Sequence, residues 1–197
     1  MQHIEGISRH QLRFSSLEDA ISADNQVRFI DAFVSFIDLS KLGFAIKTLK
    51  HQGRPSYRIS IFLKLYLYGY LNGIRSSRKL EAECFRNIEL KWLLEDIHPN
   101  YHSISDFRKE NPLALKNTFK LFVSFLKDAD LIGLEKVNGE HSLIMLVYNI
   151  KRSIDILGVP NLIAKLQKWN SPLQGKSLVF AKNGVFKAEI RLRFLSN

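Results

Sequence analysis

Apolar residues recur at helical spacing along most of the chain, and the breaks between them fall at turn-forming residues. Asp24 is an N-cap type of residue, and Val27, Ile30, Phe33, Val34 and Ile37 follow at intervals of three and four, which predicts an amphipathic helix with Asp31 and Asp38 on its polar side. Gly53-Arg54-Pro55-Ser56 reads as a turn, with Ser56 able to cap the next element. That element, Ile59, Phe62, Leu63, Tyr66, Leu67 and Tyr70, is apolar on nearly every side and predicts the central helix of the domain, loosened and ended by Gly69 and Gly73. Ser76-Ser77 caps a short helix through Leu80 and Cys84, and Ile88 to Leu94 predicts another, buried through Trp92 and Leu93. After His98-Pro99-Asn100, Ser103 or Ser105 caps a third helix containing Ile104, Phe107, Arg108 and Lys109. Pro112 then opens a longer helix with Leu115, Phe119, Phe122, Val123 and Leu126 on one face.

Beyond Gly133 the register changes. Leu143, Ile144, Leu146, Val147, Ile150, Ile154 and Leu157 make a helical stripe that ends at Gly158, and Leu162, Ile163 and Leu166 make a smaller one. Alternation over Phe186, Ala188, Ile190, Leu192 and Phe194 suggests a strand, and the Asn183-Gly184 turn chemistry permits a small β-hairpin. The expected fold is mainly α: a helical bundle followed by a C-terminal helix and a basic tail.

Composition narrows the class. In 197 residues, 46% apolar and 24% charged, there is a core to bury, so a disordered chain or a disulfide scaffold is excluded. Cys84 is the only cysteine, which removes any intramolecular disulfide and makes a cytoplasmic protein the plain expectation. Ile59 to Leu71 is too short and too interrupted to span a membrane. The formal charge of +10 favours polyanionic partners. It is unevenly placed: residues 1–133 carry 19 basic and 15 acidic side chains, residues 134–197 carry 10 and 4, and the surplus of the second part lies in its last 34 residues.

Candidate chemistry follows from these placements. Three short helices and a longer one, two of them opening with Ser-Ser-Arg-Lys and Ser-Ile-Ser-Asp-Phe-Arg-Lys, fit a helix-turn-helix-like module. Arg75, Arg78, Lys79, Arg108 and Lys109 are candidates for phosphates or guanine edges, and Ser103 and Ser105 for phosphate near a helix start. His98 and His102 are separated by Pro99 and cannot act as paired metal ligands of one regular helix. Asp24, Asp31 and Asp38 share a helix face that reads as solvated surface, and Asp106 and Glu110 sit beside cations that they would tune. No phosphate-binding glycine loop, nucleophile elbow or catalytic triad pattern is present.

Three runs carry a family resemblance: Gly-Arg-Pro-Ser-Tyr (53–57), LKLYLYGYLNGIRSSRKLEAECFRNIELKWLL (63–94) and HSISDFRKENP (102–112). In this order they resemble the N-terminal domain of bacterial insertion-sequence transposases of the DDE type, over most of residues 7–133. LEKVNGEHSLIMLVYNIKRSIDILG (134–158) resembles a segment near the C-terminus of the same family. The resemblance therefore implies a domain at 1–133, a remnant of the end of the catalytic core at 134–168, and a basic tail at 169–197. It also implies that the ribonuclease H-like core, with its two aspartates, its glutamate and their Mg²⁺ ions, is missing between them. Glu140 lies downstream of the position that the family's glutamate would match. What the resemblance implies is a truncated transposase that binds DNA, through terminal inverted repeats, without strand transfer and without a cofactor of its own. The alternatives are a nonbinding structural remnant, or activity only in complex with an intact copy. The stripe from Leu143 to Leu157 is expected to pack on the bundle or on a partner, including a second copy.

Overall fold

The computed structural model describes residues 7–8, 10–12, 14–44, 56–131 and 142–170. The expected hairpin at Asn183-Gly184, the strand from Phe186 to Phe194, the turn at residues 53–55, the junction at residues 132–135 and Glu140 all lie outside these residues. Among the described residues the protein is mainly helical, with eight α-helices and no strand. None of these helices is long and apolar enough to cross a membrane.

Helix α1 (Gln26–Phe36) buries Val27, Phe29, Ile30, Phe33 and Val34. Asn25, not Asp24, caps it: the Asn25 side chain accepts from the Val27 N–H at 3.0 Å. Helix α2 (Ile59–Leu71) is buried without interruption from Ile61 to Gly69, which is why its pattern shows no polar face. Arg58 occupies its N-cap position and gives no side-chain bond, so Ser56 does not cap it. At the other end the Ile74 N–H reaches back to the Gly69 carbonyl at 2.6 Å, and Gly73 takes the left-handed conformation that closes the turn. Gly69 belongs to the packed helix. A Cβ there would lie 2.7 Å from Leu80 Cδ2 and 2.8 Å from the Ile74 carbonyl oxygen, so its missing side chain lets the next helix approach.

Three short helices follow, α3 (Ser77–Arg86), α4 (Ile88–Leu93) and α5 (Tyr101–Glu110), then the long α6 (Pro112–Asp128). The C-terminal part supplies α7 (Ser142–Leu157) and α8 (Val159–Lys168). Helix α2 is the hub, touching α1, α4 and α7, while α8 lies along α1 and α7 lies along α6. Of the stripe on α7, Leu146, Val147 and Ile150 are buried, Ile154 and Leu157 pack at the edge, and the side chains of Leu143 and Ile144 lie outside the described residues. This stripe therefore packs on the chain's own bundle.

One contiguous core joins both parts. Phe29, Phe33 and Phe122 form a triangle with ring centroids 5.1–6.1 Å apart, in the edge-on and offset geometries that aromatic quadrupoles favour. Trp169 is buried between Phe36 and Phe125, and its indole N–H donates to Asp128 at 2.7 Å. Phe62, Leu63, Tyr66, Leu67, Leu93, Phe119 and Phe122 are buried as their spacing predicts. Trp92 is only partly buried, because its indole N–H reaches the carboxylate of Glu18 at 2.7 Å near the surface.

Candidate nucleic-acid interface

Helices α3, α4 and α5 form a small layer in which α3 packs on both α4 and α5. Ser76 caps α3, its hydroxyl accepting from the Lys79 N–H at 3.5 Å. Leu80 and Cys84 face the core, and burial pushes the Cys84 thiol up to about 12, which keeps it an inert apolar group. The opposite side exposes Arg78, Lys79, Ala82, Phe85 and Arg86, preceded by exposed Arg75. At 3.6 residues per turn these five positions cover about 120° of the helix, with Ala82 at the middle. Arg86 is paired with Glu83, whose carboxyl this bond holds below the usual glutamate range.

Helix α5 starts three to five residues earlier than its serines imply. Asn100 is the cap, accepting from the Ser103 N–H at 2.8 Å, so neither Ser103 nor Ser105 plays that part. Asparagine is among the strongest N-cap residues, and the preceding proline leaves its extended conformation intact. Ser103 is then half-buried in the first turn, Ser105 is exposed in mid-helix, and Arg108 and Lys109 lie in the last turn. Their charges there suit the helix dipole, whereas Arg78 and Lys79 at the start of α3 oppose it.

Aromatic side chains that sequence reasoning missed hold two of these cations in place. The Arg78 guanidinium lies over the Tyr101 ring at 5.2 Å, and that of Arg108 over Tyr70 at 5.9 Å. Tyr70 is the last tyrosine of the central helix, and Tyr101 opens α5, so only the fold brings them to arginines so distant in the chain. The Tyr66 hydroxyl donates to the Ile104 carbonyl at 2.6 Å, which ties α5 to α2. Burial pushes Tyr66 up to about 12 even though the nearby charge of Arg108 acts the other way. Arg75, Arg78 and Lys79 thus share one edge of the layer, and Arg108 is anchored at the C-terminal end of α2.

The histidines are engaged separately. His98 stacks flat on Phe85 at 4.4 Å with its Nε2 3.4 Å from Asp96, and His102 lies against Tyr101. Among the described residues no group of three or more His, Cys, Asp or Glu side chains could share a metal ion. Asp31, read from the sequence as solvated, instead pairs with buried Lys64 of α2 at 2.5 Å.

Residues 15–110 match the transposase domain family DUF772. This match supports a transposase-related function. The transposase-domain segment contains α1 to α5 and all seven candidate contact residues, while α6, α7 and α8 lie beyond it. The core does not stop at that boundary, since α7 and α8 pack on α2 and α1 within the matched segment. No curated protein and no solved structure matches the chain.

Proposed function

We propose that the protein is a truncated insertion-sequence transposase that binds the terminal inverted repeats of its element and does not transfer strands. The observation that carries this reading is the cationic layer inside the transposase-domain segment, where Arg75 just before α3, Arg78 and Lys79 on α3, and Arg108 and Lys109 on α5 are all exposed and two of the arginines are stacked on tyrosines. Exposed, pre-oriented cations are suited to phosphates, and Ser103 and Ser105 add hydroxyl donors on α5. The absence of strand transfer rests on the resemblance of 134–158 to a segment that follows the catalytic core, which leaves the three metal-binding acids unaccounted for.

The test is one titration series of terminal-repeat DNA against a scrambled duplex, repeated with Mg²⁺ or Mn²⁺ present. The chain should prefer the repeat and leave it neither nicked nor joined. Arg108→Ala should cost about 1–3 kcal/mol at the repeat if this side chain reads a base edge. Equal affinity for both duplexes would overturn the binding, and metal-dependent cleavage that disappears in Glu140→Gln would overturn the silence.

A further inference from the structure

We infer that α3 is the helix that enters the major groove of duplex DNA, with Ala82 and Phe85 placed against thymine methyl groups. The inference rests on the DNA-binding reading above and specifies which face of the layer reads the duplex. An α-helix is about 10–12 Å across and the major groove about 12 Å wide, so one helix fits, and its most exposed line of residues meets the base edges. On α3 that line runs through Ala82, diametrically opposite buried Leu80 and Cys84.

The composition of this face suits such a role. Ala82 has only a methyl group, so the helix axis can come close to the base pairs. Phe85 stays 58% exposed although it is stacked on His98, which leaves a fixed aromatic edge in solvent on an otherwise polar helix. Alanine and phenylalanine are side chains that recognise thymine through its C5-methyl group, the one apolar mark in the major groove. Cations flank Ala82 along the helix: Arg78, fixed on Tyr101, and Lys79 lie one turn before it, and Arg86 lies one turn after it. The Arg86–Glu83 pair is exposed on its arginine side, and such pairs are weak enough to be exchanged for a phosphate. Helix α5 offers a poorer reading face, since Asp106 is exposed in its middle and repels phosphates.

The experiment uses the full chain and duplexes selected from a randomised 30-base-pair pool, then remade with deoxyuridine in place of individual thymidines. Uracil pairs as thymine does and lacks only the methyl group. Affinity should fall about fourfold for each contacted methyl removed, the transfer free energy of one such group. Phe85→Ala should bind the selected duplex more weakly and lose its sensitivity to one of these positions. Ala82→Glu, a change to a good helix former at a fully outward position, should cost at least about tenfold and erase the preference, with its helical circular dichroism unchanged. Leu113→Ala, at an exposed position of α6 outside the layer, should keep the uracil response. Wild-type affinity indifferent to uracil throughout, or an Ala82→Glu protein that still selects the same duplex, would overturn the assignment of α3 while leaving DNA binding in place. A wild-type chain that enriches no duplex from the pool, or that prefers phosphatidylserine vesicles to DNA, would overturn both readings.

Discussion

Lys64 stands on the central helix with 6% of its surface exposed, in a run that is otherwise aliphatic and aromatic. Its ammonium is matched by Asp31 at 2.5 Å from the neighbouring helix, and Asp31 keeps about a third of its side chain in water. The pair separates two roles that look equal in a contact map. Removing Asp31 leaves a buried cation without compensation, whereas replacing Lys64 by an unbranched apolar chain removes the buried charge itself. Asp31→Ala should therefore destabilise clearly, by about 1–3 kcal/mol once its partial exposure is allowed for, and Lys64→Met should be near neutral. Urea unfolding of both variants decides it, and equal losses would contradict the argument. Glu18 poses a different problem, because its carboxylate accepts from the Trp92 indole and from Arg28. The Trp92 bond and then the Arg28 bond hold it below the ordinary value of 4.5. A depressed carboxylate contributes stability that is complete above its unfolded value and is lost as pH falls through the folded one. Glu18→Gln should accordingly lower stability at neutral pH and flatten the decline below about pH 4.5, a modest effect at so exposed a site, measured by thermal melts from pH 3 to 7.

At the scale of elements, what could be read in the sequence was whatever local chemistry decides. The amphipathic stripes of α1, α6, α7 and α8, the all-round apolarity of α2, the Ser76 cap and Pro112 at the start of α6 are properties of short windows. Caps were misplaced where two competent residues stood close together: Asp24 beside Asn25, and Asn100 ahead of Ser103 and Ser105. Asn100 can be tested directly, since Asn100→Ala should cost about 1 kcal/mol by stranding the Ser103 N–H, and Ser103→Ala should cost less. Chemical denaturation of the two variants separates the caps, and a larger loss in Ser103→Ala would restore the serine. The candidate site was legible as residue types but not as an arrangement. Nothing in a linear window indicates that Tyr101 will lie under Arg78, that Tyr70 will hold Arg108, or that Asp31 faces Lys64. These pairs are set by how α1, α2, α3 and α5 cross, and Gly69 sets part of the α2–α3 crossing through a close approach no periodicity reveals.

For the whole molecule the decisive quantity is where the charge of +10 sits relative to the folded bundle. Trp169 fixes the end of the bundle: its ring is wedged between α1 and α6 and its N–H is taken by Asp128, so residues up to about 170 belong to the packed core. A cut that removed Trp169 would confuse loss of stability with loss of charge. A cut after Asn170 would remove Lys176, Lys182, Lys187, Arg191 and Arg193 against only Glu189, and leave every helix of the described residues intact. If these cations act as phosphate contacts, each one lost reduces the slope of log affinity against log salt by about 0.9, because one fewer counterion is released. The full chain should therefore bind any duplex more tightly than the cut chain at low salt, the two should converge as salt rises, and the slope should fall by up to about four to five units. If recognition resides on the helical layer, preference for the selected duplex over a scrambled one should survive the cut. A cut chain with unchanged salt dependence would show that the tail's charge is not used on DNA, and a cut chain that has lost its sequence preference would move recognition from the bundle to the tail.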